Sequence, residues 1–208
     1  QMHWPDAIVP SEESLKAFDR LVQSGKVRYI GTSNDTAYGT SKALMTSEFK
    51  GYARFESIQN NFSLLNRRCL DELATVCEKE QISLLAYSPL AGGILSGKYN
   101  QSDIKEGRFS VYMNSPDKRQ RLMAKRFMND RTLLSTQKYL KIAHDAGLDP
   151  VTMAIAWSKQ FSFVASTIIG ATTPSQLNAS LAAMDLELSD EVLTACDAVH
   201  EEILYPMG

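Results

Sequence analysis

Short apolar segments alternate with longer amphipathic segments along most of this chain, and this alternation limits its fold more than any other feature. The short segments are typical of buried strands, and the longer ones carry the three-to-four residue hydrophobic spacing of helices. The predicted strands are one that ends at His3 and those at residues 27–31, 55–59, 82–87 and 164–169. The predicted helices cover residues 11–25, 38–49, 67–80, 132–146, 150–160 and 173–184, and a last one begins at Ser189. Strict alternation favours an α/β fold with parallel strands joined by right-handed crossovers.

The arrangement of these strands is predicted to be a barrel rather than an open nucleotide-binding sheet. An open sheet of that kind carries a Gly-x-Gly-x-x-Gly turn after an early strand, and no such turn occurs in this sequence. An eight-stranded parallel barrel needs about 250 residues, so five strands cannot close one. We therefore expect residues 1–208 to supply about the last five strand-helix units of a single (β/α)8 TIM barrel.

One segment, residues 100–131, interrupts the repeat and is rich in Lys, Arg, Asp and Asn. Such a long connection inside a compact domain is either functional or a solvated excursion. We expect an inserted loop at the barrel rim, on the side where the strands end.

Composition and charge indicate which kinds of ligand or partner this chain is expected to bind. The chain has 208 residues, of which 44% are hydrophobic and 22% charged, and its net charge of −2 does not suggest a nucleic-acid-binding protein. No apolar run reaches the roughly 20 residues of a membrane helix. The three cysteines lack zinc-type spacing, which predicts free thiols, no metal site and a reducing, cytoplasmic location. Small metabolites are the expected ligands.

Polar residues follow three successive predicted strands. They are found in the runs Gly31-Thr32-Ser33-Asn34, Ser57-Ile58-Gln59-Asn60 and Ala86-Tyr87-Ser88-Pro89-Leu90. Active sites of parallel barrels are built at the carboxyl ends of their strands. These residues are therefore the predicted ligand site.

Six motifs, taken together and in order, resemble the aldo-keto reductases. They are His3-Trp4-Pro5-Asp6, Tyr29 to Asn34, Ser57-Ile58-Gln59, Ala86 to Gly93, Ser96-Gly97-Lys98-Tyr99 and Ile169 to Pro174. The stretch from Leu186 to Pro206 is most similar to the bacterial Tas-type branch. The resemblance covers the whole chain but only about the last two thirds of such a protein. It implies a barrel that transfers hydride between NADPH and the carbonyl carbon of a small aldehyde or ketone.

The resemblance also implies roles for the strand-end residues. Ser33, Asn34 and Gln59 would hydrogen-bond the nicotinamide carboxamide, and Tyr87 would stack its ring on the nicotinamide. Taken one by one, such residues are more often caps, turns or core side chains. Their joint placement favours the binding role.

Phosphate-binding residues are implied further along the chain. The turn formed by Ser88, Pro89, Leu90, Ala91 and Gly92 would bring backbone amides to the pyrophosphate. The implied contacts to the remaining phosphates are Lys98, Arg108, Gly170, Thr172 and Gln176. Many family members have Arg where Gln176 stands, although the potassium-channel β-subunit branch also has Gln. NADP is therefore the expected cofactor, and NAD is not excluded.

His3 matches the histidine of the family's catalytic tetrad, where it orients the carbonyl. The tetrad's Asp, Tyr and Lys belong to strand-helix units that precede this sequence, so we expect the chain alone to be inactive. Two other functions stay open. One is a regulatory protein that binds nicotinamide cofactor without turnover, as the channel β-subunits suggest; the other is an unrelated barrel enzyme that holds a phosphate near Gly170. The oligomeric state is not predicted.

Overall fold

Four strands form one sheet in the computed structural model, which describes residues 1–6, 8–100 and 107–207. The strands are β1 (Ile30–Ser33), β2 (Phe55–Asn61), β3 (Ser83–Tyr87) and β4 (Val164–Ile168), and they lie in that order. β2 is parallel to both β1 and β3, with Ser33 opposite Gln59, and Asn61 opposite Tyr87. This is the arrangement of part of a (β/α)8 barrel, so the predicted fold class is confirmed.

Helices precede, separate and follow the strands along the chain. They are α1 (Ser11–Gln23), α2 (Ala37–Lys50), α3 (Leu73–Glu80), α4 (Arg108–Met113), α5 (Lys118–Phe127), α6 (Asp130–Asp145), α7 (Pro150–Lys159), α8 (Pro174–Leu181) and α9 (Asp190–Glu202). Six of the helices begin at a side chain that accepts a hydrogen bond from the first turn in the manner of a standard N-cap. These side chains are Thr36, Asp117, Asn129, Asp149, Thr173 and Ser189. No helix in the described ranges has both the length and the apolar content to cross a membrane.

The contacts divide the chain into two compact units. The first contains residues 1–61, 68–87 and 161–166, and the second contains residues 62–67, 88–160 and 167–208. In the first unit, Leu15, Ile58 and Leu84 are completely buried. In the second, Ile155, Ala156 and Ala183 form a core cluster, and Phe62 packs on Trp157 with ring centroids 5.1 Å apart.

Two predicted strands differ from the structure. The predicted strand at 27–31 begins only at Ile30, because the end of α1 continues into a turn in which the amides of Lys26 and Val27 both donate to Leu21 O. The predicted strand that ends at His3 is not a strand. A single backbone bond, from Met2 N to Gly31 O (2.9 Å), places that stretch beside β1, and a ladder needs a series of such bonds.

Two other segments also differ from their predicted structure. The predicted helix at 67–80 is broken into a 3-10 turn, Arg68–Leu70, and α3, because Glu72 lies outside the helical region with φ −141°. Residues 100–131 were expected to form a loop, but α4, α5 and the start of α6 occupy the described part. Residues 101–106 lie outside the described residues, and the insertion of this segment at a barrel rim stays a prediction.

The three cysteines are free and buried, as their spacing predicted. Cys69 lies in the 3-10 turn and Cys77 in α3, rather than on one helix. Burial raises the pKa of the Cys69 thiol to about 12, so this thiol is protonated at neutral pH.

Candidate functional site

The turn that follows β1 is fastened to the end of β2. Ser33 Oγ donates to Gln59 O at 2.6 Å, and Asn34 N donates to the same oxygen at 3.1 Å. Asn34 has a left-handed backbone with φ 56°, a conformation that Asn tolerates better than most residues. The two bonds explain how β1 can end abruptly and still hold its last side chains in place.

The Asn34 side chain joins three parts of the first unit. Its Nδ2 donates to His3 O at 2.9 Å and to Ser33 Oγ at 3.0 Å, and its Oδ1 accepts from the Tyr87 hydroxyl at 2.7 Å. Tyr87 is half-buried at the end of β3. We call Ser33, Asn34, Gln59 and Tyr87 the strand-end cluster. The structure brings these sequence-predicted residues together at neighbouring strand ends.

The strand-end cluster has hydrogen-bonding capacity left for a ligand. Both amide hydrogens of Asn34 are used, but its Oδ1 and Ser33 Oγ can each accept one further bond. The side-chain amide of Gln59 makes no hydrogen bond within the described residues and offers both donors and an acceptor. A planar primary amide needs this combination, because it both donates and accepts. The residues present therefore fit a nicotinamide carboxamide.

A buried carboxylate that sequence reasoning missed supports the cluster. Asp35 is only 9% exposed; its Oδ1 accepts from Thr36 N at 2.8 Å, and its backbone O accepts from Asn60 Nδ2 at 2.8 Å. Burial, the largest influence, raises the pKa of this carboxyl above its ordinary 3.8. The acidic residue next to Ser33-Asn34, directly before a Thr N-cap, is the signal that could have identified it.

Gly39 is required for this packing. A Cβ added at Gly39 would lie 2.1 Å from Asp35 Oδ1, far inside van der Waals contact. The first turn of α2 can therefore lie against the carboxylate only because position 39 has no side chain.

His3 contributes its backbone rather than its ring in this structure. Its carbonyl oxygen accepts from Asn34, while the exposed imidazole lies edge-on to the Trp4 ring with centroids 5.8 Å apart. Its predicted catalytic role stays a prediction.

The predicted phosphate residues all lie in the second unit. Ser88 and Ala91 have positive φ angles of 58° and 50°, and Ala91 N donates to Ser88 O at 2.8 Å. The amide of Ala91, which was expected to approach a pyrophosphate, is therefore engaged within the turn. Pro89 is buried, and a Cβ at Gly92 would lie 2.7 Å from the Phe109 ring. Leu90 packs partly buried against the core cluster of the second unit.

Two exposed cations follow this turn. Lys98 and Arg108 have no carboxylate partner among the residues that the structure describes, and Lys98 Nζ lies 5.0 Å from the centroid of the Tyr99 ring. Such cations are available to a ligand phosphate.

At the start of α8, the predicted residues bond to one another. Gln176 Oε1 accepts from Thr172 N at 2.9 Å and from Thr172 Oγ1 at 3.1 Å, and both residues are exposed. Gly170 is also exposed, with open space where a Cβ would stand. A ligand that took the Thr172 amide would have to displace the Gln176 side chain.

A buried arginine in the second unit was also missed. Arg67 is 4% exposed; it contacts Asp197 Oδ1 at 2.6 Å, donates to Cys196 O at 2.8 Å, and its guanidinium lies 4.5 Å from the Trp157 ring centroid. These contacts attach α9 to α7 and give Arg67 a structural role. From the sequence, Arg67 is predicted only to begin a helix.

The fold is that of an α/β protein with a cluster of hydrogen-bonded polar residues at the ends of parallel strands. The profile of the Aldo/keto reductase family matches residues 1–201, and the chain belongs to this family. The predicted resemblance is thereby confirmed.

Three relatives illustrate the range of similar proteins. The chain is 38% identical to "Protein tas" of Escherichia coli (strain K12) over 207 residues, 98% of the chain and 57% of that protein. It is 30% identical to "Uncharacterized oxidoreductase YrpG" of Bacillus subtilis, over 93% of the chain and 55% of that protein. It is 28% identical to "Putative voltage-gated potassium channel subunit beta" of Schizosaccharomyces pombe, over 95% of the chain and 57% of that protein. The chain thus spans just over half the length of these relatives.

Proposed function

We propose that the full-length protein containing this chain is an NADP-dependent oxidoreductase that reduces aldehydes or ketones to alcohols. The observation that carries the proposal is the bond between Tyr87 and Asn34, within a cluster that also fastens Ser33 to Gln59. Membership of the Aldo/keto reductase family supports it.

The strand-end cluster would hold the nicotinamide. Gln59 has a free side-chain amide, and Ser33 Oγ and Asn34 Oδ1 each have a lone pair that can accept from the carboxamide NH2. The Tyr87 ring, fixed through its hydroxyl, would lie against one face of the nicotinamide. Bound NADPH would supply the hydride to the carbonyl carbon.

The second unit would hold the phosphates. Lys98 and Arg108 are exposed cations without carboxylate partners in the described ranges, and this favours NADP, which has one phosphate more than NAD. Gln176 would turn away from Thr172 to release its amide for the same ligand. The three buried free thiols fit a reducing compartment, so we place the activity in the cytoplasm.

His3 would act on the substrate rather than on the cofactor. Its carbonyl oxygen is held by Asn34, which fixes the start of the side chain and leaves the exposed imidazole able to donate to a carbonyl oxygen. The proton donor is not assigned to any residue of this chain, and catalysis is proposed only of the full-length protein.

A non-catalytic, cofactor-binding regulatory protein is the second candidate. Relatives named as potassium-channel β-subunits favour it, at 28% identity in Schizosaccharomyces pombe and 30% in Oryza sativa.

One experiment separates the two candidates. The full-length protein is mixed with NADPH and a panel of aldehydes and ketones, and both binding and loss of NADPH absorbance are measured. Binding with substrate-dependent oxidation supports the reductase. Binding without oxidation of NADPH by any carbonyl supports the regulatory protein, and no binding contradicts both.

A further inference from the structure

Tyr99 is a buried side chain of the second unit to which the proposed function assigns no role. It is only 2% exposed and belongs to a 3-10 turn, Lys98–Asn100, which follows the turn at residues 88–92. Asn100 attaches this 3-10 turn to α6, because its Nδ2 donates to Leu133 O at 2.8 Å. The backbone that carries the Tyr99 ring is therefore fixed to a helix.

The ring of Tyr99 supports the Lys98 ammonium group. Lys98 Nζ lies 5.0 Å from the ring centroid, which is within the range of a cation–π contact. A Cβ added at Gly93 would lie 3.1 Å from the same nitrogen, so this charge stands beside the turn that is proposed to meet the pyrophosphate. The long, flexible stem of a lysine does not hold its charge in one place by itself, and the aromatic ring supplies that constraint.

The hydroxyl of Tyr99 holds the start of α4. Its oxygen accepts from Phe109 N at 3.2 Å, and the two rings pack with centroids 5.7 Å apart. Gly107 precedes α4 and has no side chain that could cap it, so the Tyr99 hydroxyl satisfies an amide of the first turn instead. A Cβ added at Gly107 would lie 2.6 Å from this hydroxyl oxygen. Because Arg108 directly precedes Phe109, the bond also fixes the backbone of Arg108.

The two groups that Tyr99 contacts meet successive glycines at the end of the turn. The Phe109 ring would lie 2.7 Å from a Cβ at Gly92, and the Lys98 ammonium group lies next to Gly93. Phe109 is 1% exposed, so its position against the turn is fixed by packing on all sides. One buried tyrosine thus connects both segments that carry the proposed phosphate cations to the same turn.

We propose that Tyr99 is a positioning residue for the cofactor phosphates, which holds Lys98 with its ring and Arg108 with its hydroxyl beside the turn at residues 88–92. The inference rests on the proposed function, because it takes these two cations as ligands of NADPH. Tyr99 acts only through them and contacts neither cofactor nor substrate. Since both cations are ordered before the cofactor arrives, less conformational entropy is lost when it binds.

The test measures the NADPH affinity of full-length variants by fluorescence titration. Tyr99→Phe keeps the ring but leaves Phe109 N without its acceptor, and we expect the dissociation constant for NADPH to rise about fivefold. In an Arg108→Ala background the same change should have less than about a twofold effect, because the side chain that the hydroxyl positions is gone. In a Lys98→Ala background its effect should remain about fivefold, because the ring rather than the hydroxyl supports Lys98.

Tyr139→Phe is the matched control. Tyr139 is a buried tyrosine of the same unit, 3% exposed, and its hydroxyl donates to Leu64 O at 3.1 Å. Removing this hydroxyl should leave the NADPH affinity within about twofold of that of the wild type, because it contacts no segment that carries a proposed phosphate residue.

The outcomes separate the inference from the function on which it rests. A wild type that does not bind NADPH would contradict the proposed function and remove the inference with it. Where the wild type binds, three results would overturn the inference alone: unchanged affinity in Tyr99→Phe, equal losses in Tyr99→Phe and Tyr139→Phe, or an effect of Tyr99→Phe that is as large in the Arg108→Ala background as in the wild type.

Discussion

The hydroxyl of Tyr87 donates to Asn34 Oδ1 at 2.7 Å, and this bond ties the end of β3 to the turn after β1. It fixes both the tyrosine ring and the amide, so that the two groups proposed to contact the nicotinamide are arranged before any ligand arrives. Preorganisation of this kind lowers the entropic cost of binding.

Removing the hydroxyl alone tests this bond. Tyr87→Phe keeps the ring but loses one hydrogen bond of about 1 kcal/mol, so we expect NADPH to bind about fivefold more weakly. Tyr87→Ala, which also loses the ring, should weaken binding by at least a further tenfold. Fluorescence titration of the full-length variants measures both effects. Equal affinities for the wild type and the Ala variant would exclude a stacking role.

The contact between Gly39 and Asp35 predicts a specific packing defect. Gly39→Ala forces a Cβ against Asp35 Oδ1 and should lower the free energy of unfolding by about 1–3 kcal/mol. In an Asp35→Ala background the same change should cost at least about 1 kcal/mol less, because the clashing carboxylate is gone. Chemical denaturation of the four proteins measures this coupling. Independent, additive costs would show that the carboxylate is not what excludes a side chain.

Asp35 also predicts a pH dependence with a definite sign. Burial raises the pKa of its carboxyl in the folded protein above 3.8, so the folded state holds the proton more tightly than the unfolded state. The contribution of this group to stability is fully present below pH 3.8, its ordinary pKa. It is lost as the pH rises through the higher pKa that the carboxyl has in the folded state.

Asp35→Asn removes this titration. We compare the unfolding free energy of the wild type with that of the variant. The difference, wild type minus variant, should fall as the pH rises from 3.8 through the raised pKa of folded Asp35, and then level off. Denaturant titrations at a series of pH values measure the difference. A difference that rises with pH would contradict the assignment.

A buried and an exposed ion pair of the second unit should differ sharply in their contribution to stability. Arg67→Ala removes a buried guanidinium that contacts Asp197, Cys196 O and Trp157, and we expect a loss of about 2–3 kcal/mol in unfolding free energy. Lys138→Ala breaks an exposed pair with Glu202 at 2.8 Å and should cost no more than about 0.5 kcal/mol. Thermal unfolding of both variants gives the comparison. Similar losses would show that the Arg67 contacts add little beyond a surface pair.

Sequence reasoning predicted the alternating helices and strands because their periodicities are local. β2 and β3 begin and end within two residues of their predicted bounds. The predicted start of β1 is too early because apolar Val27 suggests a strand. In the structure, the backbone amides of residues 26 and 27 donate to the turn after α1 instead. Sequence reasoning did not predict the helices of the 107–131 segment, where the two short helices α4 and α5 are separated by Pro116 and carry no long apolar periodicity.

The candidate site was predictable in part for a similar reason. Polar residues at the ends of parallel strands meet because strand register brings them together. Ser33 lies opposite Gln59 in this way, and Tyr87, at the end of the next strand, reaches Asn34 through its hydroxyl. The supporting contacts of Asp35 with Asn60 and of Arg67 with Trp157 join residues far apart in the chain, and no local pattern identifies such pairs.

The central claim is that the strand-end cluster binds the nicotinamide, and the NADPH affinity of an Asn34→Asp variant tests it most directly. The carboxylate cannot donate to His3 O or Ser33 Oγ, so the turn loses two bonds at the point of contact. Gln23→Glu, the same amide-to-acid change at an exposed position of α1, is the control. We predict saturable NADPH binding by the full-length wild type and by the control, and affinity at least tenfold lower for Asn34→Asp. Equal affinity of all three proteins would contradict the account.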